Sequence, residues 1–454
     1  MIFRGSTAIL ELGSAFYDPV VAANFPATIL RFRNDQAAAE IGLYDLTDAA
    51  WVQHLGRFAP LPASLTTSLA LRYHGHQFRS YNPDIGDGRG FLFAQCFDDA
   101  GRLMDLGTKG SGTTPWSRAG DGRLTLKGAM REVLATELLA ALGVATSRTL
   151  SVIETGEALD RGDEPSPTRS AVLVRLSHGH IRYGTFQRLA ALGLADGMAR
   201  LTDYVLRHYF GGQGRDEPYA TLIDHAVTNA AAQAAAMMAA GFVHGVLNTD
   251  NINVTGESFD YGPFRFAATW DPDFTAAYFD HHGLYSFGRQ PEALQWNVFQ
   301  LANALRLVAP VEALRPALEA FGDRYTAALT AALLARLGMV PFGDDRDRVL
   351  AEALVTALAA SRISLDRFWF DWRGGRLRQR DDRYDAPEFA PFVAAITAFA
   401  PAAATTHPYW SDAVPCGLPI EEVEAIWDPI AANDDWTAFE AKVAAIRRMG
   451  EAMQ

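Results

Sequence analysis

Short runs of apolar and polar residues in the first half of the chain predict strands joined by turns. Four runs have this extended character: 91–97, 103–109, 149–153 and 171–176. Apolar residues at helical spacing predict one helix from Leu126 to Leu142, which Gly143 ends. The segment 155–170 is rich in Gly, Asp, Glu, Pro and Ser, and predicts a loop.

The second half of the chain is mostly apolar at helical spacing. The predicted helices are 195–210, 219–240, 291–306, 311–337, 346–361 and 436–449. This order of elements predicts an α+β, protein-kinase-like two-lobed fold, with a β-rich N-lobe and a helical C-lobe. The predicted parts are an N-terminal extension (1–70), the N-lobe (71–190), the C-lobe (191–400) and a C-terminal extension (401–454).

Composition and charge narrow the classes of function. A chain of 454 residues with 49% hydrophobic and 20% charged residues has an ordinary globular balance and is long enough for two or three packed lobes. Its formal net charge of −13 argues against a general nucleic-acid binder, which usually presents a basic surface. We therefore expect no nucleic-acid partner.

Cysteine usage and the N-terminus predict a cytoplasmic protein. Only Cys96 and Cys416 are present, far apart in sequence, so no disulfide framework is expected. Cys96 falls in an apolar strand and is predicted to be buried, whereas Pro415 and Gly417 flank a Cys416 that we expect to be exposed. A signal-peptide pattern and an apolar run of roughly 18 residues are both missing, so we expect no membrane partner.

The segment from His244 to Phe264 follows the pattern of a kinase catalytic loop and metal loop, with one change. His244 and Asn251 occupy the catalytic-loop His and metal-binding Asn positions, and Asp260 begins the counterpart of Asp-Phe-Gly. Val246 occupies the position of the catalytic Asp and accepts no proton. The spacing predicts a site that holds a nucleotide and a metal but lacks the usual phosphoryl-transfer base.

Oxygen-bearing side chains in this segment suit a divalent metal. Asn251 and Asp260 supply hard oxygen ligands for Mg²⁺ or Mn²⁺ bridging phosphates. Asp250 is the nearest carboxylate to replace the missing base at Val246. A turn at Asp250-Asn251 and a loop cap at Asp260 explain each residue alone, but not their joint spacing.

Lys109 and three glycine clusters predict the phosphate-binding part of the site. Lys109 ends a strand, and Glu132 lies on the following helix; in kinases such a pair holds the lysine against nucleotide phosphates. Two exposed charges of little consequence are the plainer interpretation, and the segment at His244 argues against it. Glycines cluster at 86–90, 109–118 and 120–123, where they let backbone amides approach phosphate oxygens.

Arginines and histidines complete the candidates. Arg175 and Arg182 are suited to clamp a phosphate, although surface arginines are the plainer interpretation of the pair by itself. No zinc site is expected, because Cys or carboxylate ligands at matching spacing are missing beside the histidine pairs at 74/76, 178/180 and 281/282.

Together these motifs resemble the selenoprotein O family of pseudokinases, from about residue 70 to 305. The likeness is carried by HGHQF at 74–78, GDGR at 86–89, KGSGTTPWSR at 109–118, GDGR at 120–123, Arg131-Glu132, Arg175 and Arg182, HGVLNTDN at 244–251, FDYGPF at 259–264, Gln290-Pro291 and Trp296-Asn297.

The resemblance implies a protein adenylyltransferase, which binds ATP flipped relative to kinases and transfers AMP to hydroxyl groups of protein side chains. It implies ATP as co-substrate, Mg²⁺ or Mn²⁺ as cofactor, and proteins with Ser, Thr or Tyr acceptors as partners; UTP is an alternative donor in some relatives. It also implies Asp250 as proton acceptor, Glu132 as the residue that orients Lys109, and Asn251 and Asp260 as metal ligands. The implied nucleotide-binding residues are Gly86, Gly88, Arg89, Lys109, Asp121, Gly122, Arg175, Arg182 and Asp260.

Some positions depart from the family pattern. Asn253 and Glu257 lie where members usually have small or apolar residues, and Thr113 replaces a commonly basic residue. Many members carry a redox Cys or selenocysteine near the C-terminus, whereas the last 38 residues here contain none, so redox control is not expected. Two alternatives stay open: a kinase that uses the γ-phosphate, and a nucleotide-binding pseudokinase without catalysis.

Overall fold

The computed structural model describes residues 2–162, 164–214, 216–403 and 405–454. The chain has the predicted α+β fold, with a large antiparallel sheet and many helices. The strands are β1 (Arg4–Ser6), β2 (Tyr17–Val20), β3 (Ile29–Arg33), β4 (Ser68–Leu71), β5 (Gly75–Gln77), β6 (Ser80–Asn82), β7 (Leu92–Phe97), β8 (Leu103–Lys109), β9 (Leu124–Thr125), β10 (Arg148–Leu159), β11 (Thr168–Ser177), β12 (Phe242–Val243) and β13 (Arg265–Phe266).

The large sheet follows the order β2-β4-β7-β8-β11-β10-β3, and β1 and β9 pair with β7 and β11. Strand β8 lies between β7 and β11, and its last residue, Lys109, lies opposite Leu173. Because β8 is buried along its whole length, it gives this lysine a rigid base. The segment up to residue 70 contributes β1, β2, β3 and three of the four residues of β4 to the same sheet.

Helices make up most of the remaining chain. They are α1 (Asp35–Glu40), α2 (Asp48–Leu55), α3 (Leu126–Ala141), α4 (Tyr183–Ala191), α5 (Ala195–Tyr209), α6 (Pro218–Ala240), α7 (Gln290–Leu305), α8 (Val311–Glu319), α9 (Phe321–Leu337), α10 (Asp345–Ser361), α11 (Leu365–Trp372), α12 (Ala390–Ile396), α13 (Ile420–Asn433) and α14 (Thr437–Met453).

The four predicted strands and most predicted helices are confirmed. The predicted loop 155–170 is wrong at both ends, because β10 extends to Leu159 and β11 begins at Thr168; these residues pair across a hairpin. The predicted helix 311–337 is two helices that meet at Ala320, between Pro316 and Gly322, which both weaken a continuous helix. Helices α1, α2, α4, α11, α12 and α13 were not predicted.

Hydrophobic cores lie on both faces of the large sheet. One face packs against α3, and the same core continues through α4 to α8, α13 and α14. The opposite face packs against α1 and α2. A further core joins α9 to α12. Within the described ranges, no helix combines the length and apolar character needed to cross a lipid bilayer.

Candidate active site

A cavity of about 680 Å³ gathers the residues predicted to bind a nucleotide. Asp250, the predicted proton acceptor, also lines this cavity, whereas Glu132 and Asn251 lie outside its lining. The predicted nucleotide residues that line it are Gly86, Gly88, Arg89, Lys109, Asp121, Gly122, Arg175, Arg182 and Asp260. Segments distant in sequence therefore meet at one site.

Lys109 is a charged centre of the cavity. Its Nζ forms salt bridges with Glu132 of α3 and, at 2.5 Å, with Asp260 Oδ1. Lys109 and Glu132 are both buried, and a buried ammonium group is tolerated only beside such partners. The structure thus brings the strand lysine, the helix glutamate and the aspartate of the metal loop into contact.

Asp260 is held as a carboxylate. Its backbone lies in the left-handed region, with φ of 64°, which is uncommon for a residue other than glycine. Burial opposes ionisation of its side chain, but Lys109, Arg89 and Arg175 outweigh that effect and hold the pKa of Asp260 well below its usual range. An ionised carboxylate oxygen is a ligand that a hard divalent metal prefers.

Asp250 has the electrostatic character of a general base. Its side chain is buried; Oδ2 accepts a hydrogen bond of 3.3 Å from Gln77 Nε2, and Oδ1 has no partner among the described residues. Burial raises the pKa of Asp250 to about 6, and the nearby Arg182 limits the rise. A carboxylate whose pKa lies near the working pH is suited to accept a proton.

The donor set fits a Mg²⁺ or Mn²⁺ ion shared with phosphates. Asn251 Nδ2 donates to the Val246 carbonyl at 2.9 Å, which leaves Oδ1 as the free end of the amide. Mg²⁺ usually takes one or two protein carboxylates, phosphate oxygens and several waters. In the part of the chain that the structure describes, no group of three or more His, Cys, Asp or Glu is arranged to hold a metal.

Arg175 and Arg182 are buried cations with incomplete hydrogen bonding. Arg182 donates to the Asp250 carbonyl at 2.8 Å and to Asp87 Oδ1 at 3.0 Å, and the Phe259 ring lies against both arginines. Arg175 Nη1 and Arg182 Nε have no partner within the described ranges. The plainer interpretation as surface arginines is wrong, because the two residues are 6% and 5% exposed.

Close packing explains the glycines of the loops. A Cβ at Gly86 would lie 2.5 Å from the Trp116 indole, and one at Gly122 would lie 2.2 Å from the Gly112 backbone. Trp116 Nε1 donates to Asp18 Oδ2 at 3.0 Å, so the segment before residue 70 supports these loops. Larger residues would push the loops apart and change the shape of the cavity.

Two charged residues lie at the more open part of the cavity. The Arg89 side chain is exposed and makes no hydrogen bond or salt bridge with any described residue, whereas the backbone carbonyl of Arg89 accepts the Gly110 N–H at 2.6 Å. Asp121 forms a salt bridge of 2.9 Å with Arg161, and its Oδ1 accepts the Arg123 N–H at 3.0 Å. Asp121 therefore already has partners, whereas Arg89 is available to an anion.

The hairpin of β5 and β6 contacts the catalytic loop, and the sequence did not assign it a role. The N–H groups of His76 and Phe78 donate to Thr249 Oγ1 at 2.6 Å and to Asn248 Oδ1 at 3.0 Å. Gln77 of the same hairpin donates to Asp250. The HGHQF motif at 74–78 is the sequence signal for this hairpin, but the motif alone does not show what it touches.

The departures at Asn253 and Glu257 hold the turn between the two arginines. Asn253 Nδ2 donates to the Gly179 carbonyl at 2.7 Å, and Glu257 Oε2 accepts the His178 N–H at 2.7 Å. Burial raises the pKa of Glu257 to about 7. Polar contacts from Asn253 and Glu257 thus fix the turn between Arg175 and Arg182.

The cysteines lie away from this cavity, and both are free. Cys96 is buried, as predicted, but the expectation that Cys416 is exposed is wrong, since it is half-buried. Burial raises the pKa of Cys416 to about 11, which keeps the thiol protonated and weakly reactive at neutral pH.

Residues 3–386 match the sequence profile of a family described as protein adenylyltransferase SelO. The chain belongs to the SelO family. It is similar to the protein nucleotidyltransferase YdiU of Gloeobacter violaceus, with 44% identity over 97% of this chain and 94% of the relative. The protein of the same name from Synechococcus elongatus is 43% identical over 98% of this chain and 95% of the relative. The one from Synechocystis sp. is 47% identical over 81% of this chain and 78% of the relative.

The SelO assignment confirms the resemblance and the predicted enzyme class, a nucleotidyltransferase. It does not favour the kinase or the inactive pseudokinase. The SelO match begins at residue 3, whereas the sequence motifs showed a resemblance only from about residue 70. This is consistent with the strands that the earlier segment adds to the sheet.

Proposed function

We propose that the protein transfers AMP from ATP to hydroxyl groups of Ser, Thr or Tyr side chains in other proteins. The observation that carries the proposal is a single cavity lined by all the predicted nucleotide residues together with Asp250. Its buried cations, Lys109, Arg175 and Arg182, match the charge of a triphosphate. Its volume of about 680 Å³ is typical of small-ligand sites.

The proposed ATP orientation is inverted relative to a kinase. The far phosphates lie toward Arg175 and Arg182, and the α-phosphorus lies toward Lys109 and Asp260. Support comes from the unpartnered Arg175 Nη1 and Arg182 Nε, because buried donors without an acceptor are costly until a ligand supplies one. Val246 at the usual base position also argues against transfer of the γ-phosphate.

The proposed reaction is a displacement at the α-phosphorus. The acceptor hydroxyl gives its proton to the Asp250 carboxylate, its oxygen bonds to the α-phosphorus, and the bond to the oxygen that bridges to the β-phosphate breaks, so pyrophosphate leaves. Lys109, held by Glu132, stabilises the charge that develops on the phosphates. Asn251 and Asp260 would hold Mg²⁺ or Mn²⁺, which neutralises phosphate charge when bound.

We further propose that the fold is the two-lobed, kinase-like arrangement. The contacts of Lys109 with Glu132 and Asp260 support it, because kinases use the same three positions. The net charge of −13 supports protein partners over nucleic acid. The two free cysteines are consistent with the reducing conditions of the cytoplasm.

ATP labelled at the α- or the γ-phosphate tests the proposal. With metal and acceptor proteins, including the chain itself, we expect label from the α-position only and the added mass of an AMP group. Label from the γ-position only would show a kinase, and ATP binding without label would show a nucleotide-binding scaffold. UTP in a parallel reaction compares UMP with AMP as the transferred group.

A further inference from the structure

The buried His180 contacts a proposed ATP-binding residue but has no role in the transfer as described. It lies in the turn between β11 and α4 and is 5% exposed. Arg175 Nε donates a hydrogen bond of 3.0 Å to His180 Nε2. On the other side of the ring, His180 Nδ1 lies 3.4 Å from Asp105 Oδ2 of β8, close enough for electrostatic attraction but outside hydrogen-bond geometry.

These contacts specify the tautomer of His180. Because Arg175 Nε always carries a proton, His180 Nε2 must present its lone pair. The ring proton then lies on Nδ1, facing Asp105, whose Oδ1 accepts from Gln95 Nε2 at 2.7 Å. Burial lowers the pKa of His180, which favours this neutral ring.

We propose that His180 is a positioning residue for ATP. It holds Arg175 by Nε and so aims the remaining guanidinium nitrogens at the far phosphates. Arg175 Nη1 has no hydrogen-bond partner, and Arg175 forms no salt bridge, within the described ranges. A neutral imidazole therefore fixes the arginine without cancelling the charge that phosphate binding requires.

The neighbouring strand leaves room for this contact. A Cβ at Gly107 of β8 would lie 2.5 Å from His180 Nε2, the atom that accepts from Arg175. Asp105 on the same strand lies on the other side of the ring. Strand β8 thus admits the His180 ring at Gly107 and faces it with Asp105, two and four positions before the strand ends at Lys109.

The inference rests on the proposed function, in which Arg175 contacts the far phosphates. It predicts that a change at His180 weakens the binding of ATP but not the binding of AMP. In His180→Asn the shorter amide does not reach Arg175 Nε, and we expect the Kd for ATP to rise roughly ten- to hundredfold. The Kd for AMP, which lacks the far phosphates, should stay unchanged. In His180→Gln the amide oxygen reaches Arg175 Nε and should recover most of the ATP affinity.

Calorimetric titration with AMP and with an ATP analogue that is non-hydrolysable between the α- and β-phosphates measures these constants without turnover. His225→Asn is the matched control, since His225 is a half-buried histidine stacked on Phe210, and it should bind both nucleotides like the unchanged protein. If His180→Asn does not fold, Gly107→Ala displaces the ring instead and carries the same expectation.

Equal losses for ATP and AMP, or equal losses in His180→Asn and His180→Gln, would overturn the positioning role even if AMP transfer is observed. An ATP-selective loss without any AMP transfer would support the positioning role and overturn only the proposed reaction.

Discussion

Asp250 and Asp260 line the same cavity, but their pKa values are shifted in opposite directions. Burial raises the pKa of Asp250 to about 6, whereas three cations hold that of Asp260 well below its usual range. In the proposed reaction, this difference lets Asp250 accept a proton while Asp260 stays ionised to bind metal and phosphate. The spacing of the motifs in the sequence singled out both residues. It did not predict the shifts of their pKa values, because burial and the approach of Arg89, Arg175 and Lys109 depend on the folded chain.

Asp260→Asn should remove the transfer of label from α-labelled ATP. The amide cannot neutralise Lys109 or give a metal its anionic ligand, so we expect the rate to fall by roughly 10² or more. Asp273→Asn, at an exposed aspartate outside the cavity lining, is the control and should keep full activity. Undiminished labelling by Asp260→Asn would show that the metal assignment is wrong.

Glu257→Gln should raise stability at alkaline pH. The pKa of Glu257 is about 7 in the folded protein against an ordinary 4.5, so the folded state keeps a proton that the unfolded state releases between these values. The free energy of unfolding of the unchanged protein therefore falls as pH rises from about 4.5 to 7, by up to about 3 kcal/mol. In Glu257→Gln the free energy of unfolding should not show this fall with rising pH.

Urea unfolding of Glu257→Gln and of the unchanged protein at pH 5 and pH 8 measures the effect. The variant should gain stability over the unchanged protein at pH 8 and little at pH 5. The same difference at both pH values would contradict the raised pKa of Glu257.

Elements with strong internal periodicity were predicted, and elements defined by long-range pairing were not. Helices α3, α6 and α7 show their apolar face in sequence, and their bounds are predicted within two residues. Residues 155–157 are Thr, Gly and Glu, which are typical of a loop, yet they lie within β10 because Ala158 and Leu159 beyond them pair with β11. In the same way, the contact of the β5–β6 hairpin with the catalytic loop depends on tertiary structure.

Gly75→Ala tests the contact between that hairpin and the catalytic loop. A Cβ at Gly75 would lie 3.0 Å from both Cβ and Oδ1 of Asp250, so the carboxylate must shift. We expect kcat for AMP transfer to fall about tenfold or more, with little change in the KM for ATP. The control Gly322→Ala adds a Cβ in open space on α9 and should leave kcat unchanged. An unchanged kcat in Gly75→Ala would show that the hairpin does not position Asp250.

The C-terminal segment is tied to the site through α3 at the scale of the whole molecule. Arg447 of α14 pairs with Glu137 of α3 at 2.7 Å, and Lys127 of α3 pairs with Glu424 of α13 at 2.6 Å. Helix α3 also carries Glu132, which contacts Lys109. The tail beyond residue 400 therefore supports the helix of the site, and no local pattern in the sequence shows such a contact.

Ile446→Ala should destabilise the whole protein. Ile446 of α14 is fully buried in the core shared with α3, and removal of such a side chain costs about 2–5 kcal/mol. Val414→Ala, at an exposed side chain of the same tail, should change stability by about 0.5 kcal/mol or less. Thermal unfolding compares the two, and equal melting temperatures would show that the tail does not stabilise the core.

A crystal structure of the protein with Mg²⁺ and a non-hydrolysable ATP analogue tests the inverted nucleotide most directly. We expect the γ-phosphate at the guanidinium groups of Arg175 and Arg182, and the α-phosphorus between Lys109, Asp260 and Asp250. Adenine deep in the cavity beside the two arginines, with the γ-phosphate next to Asp250, would contradict AMP transfer at this site.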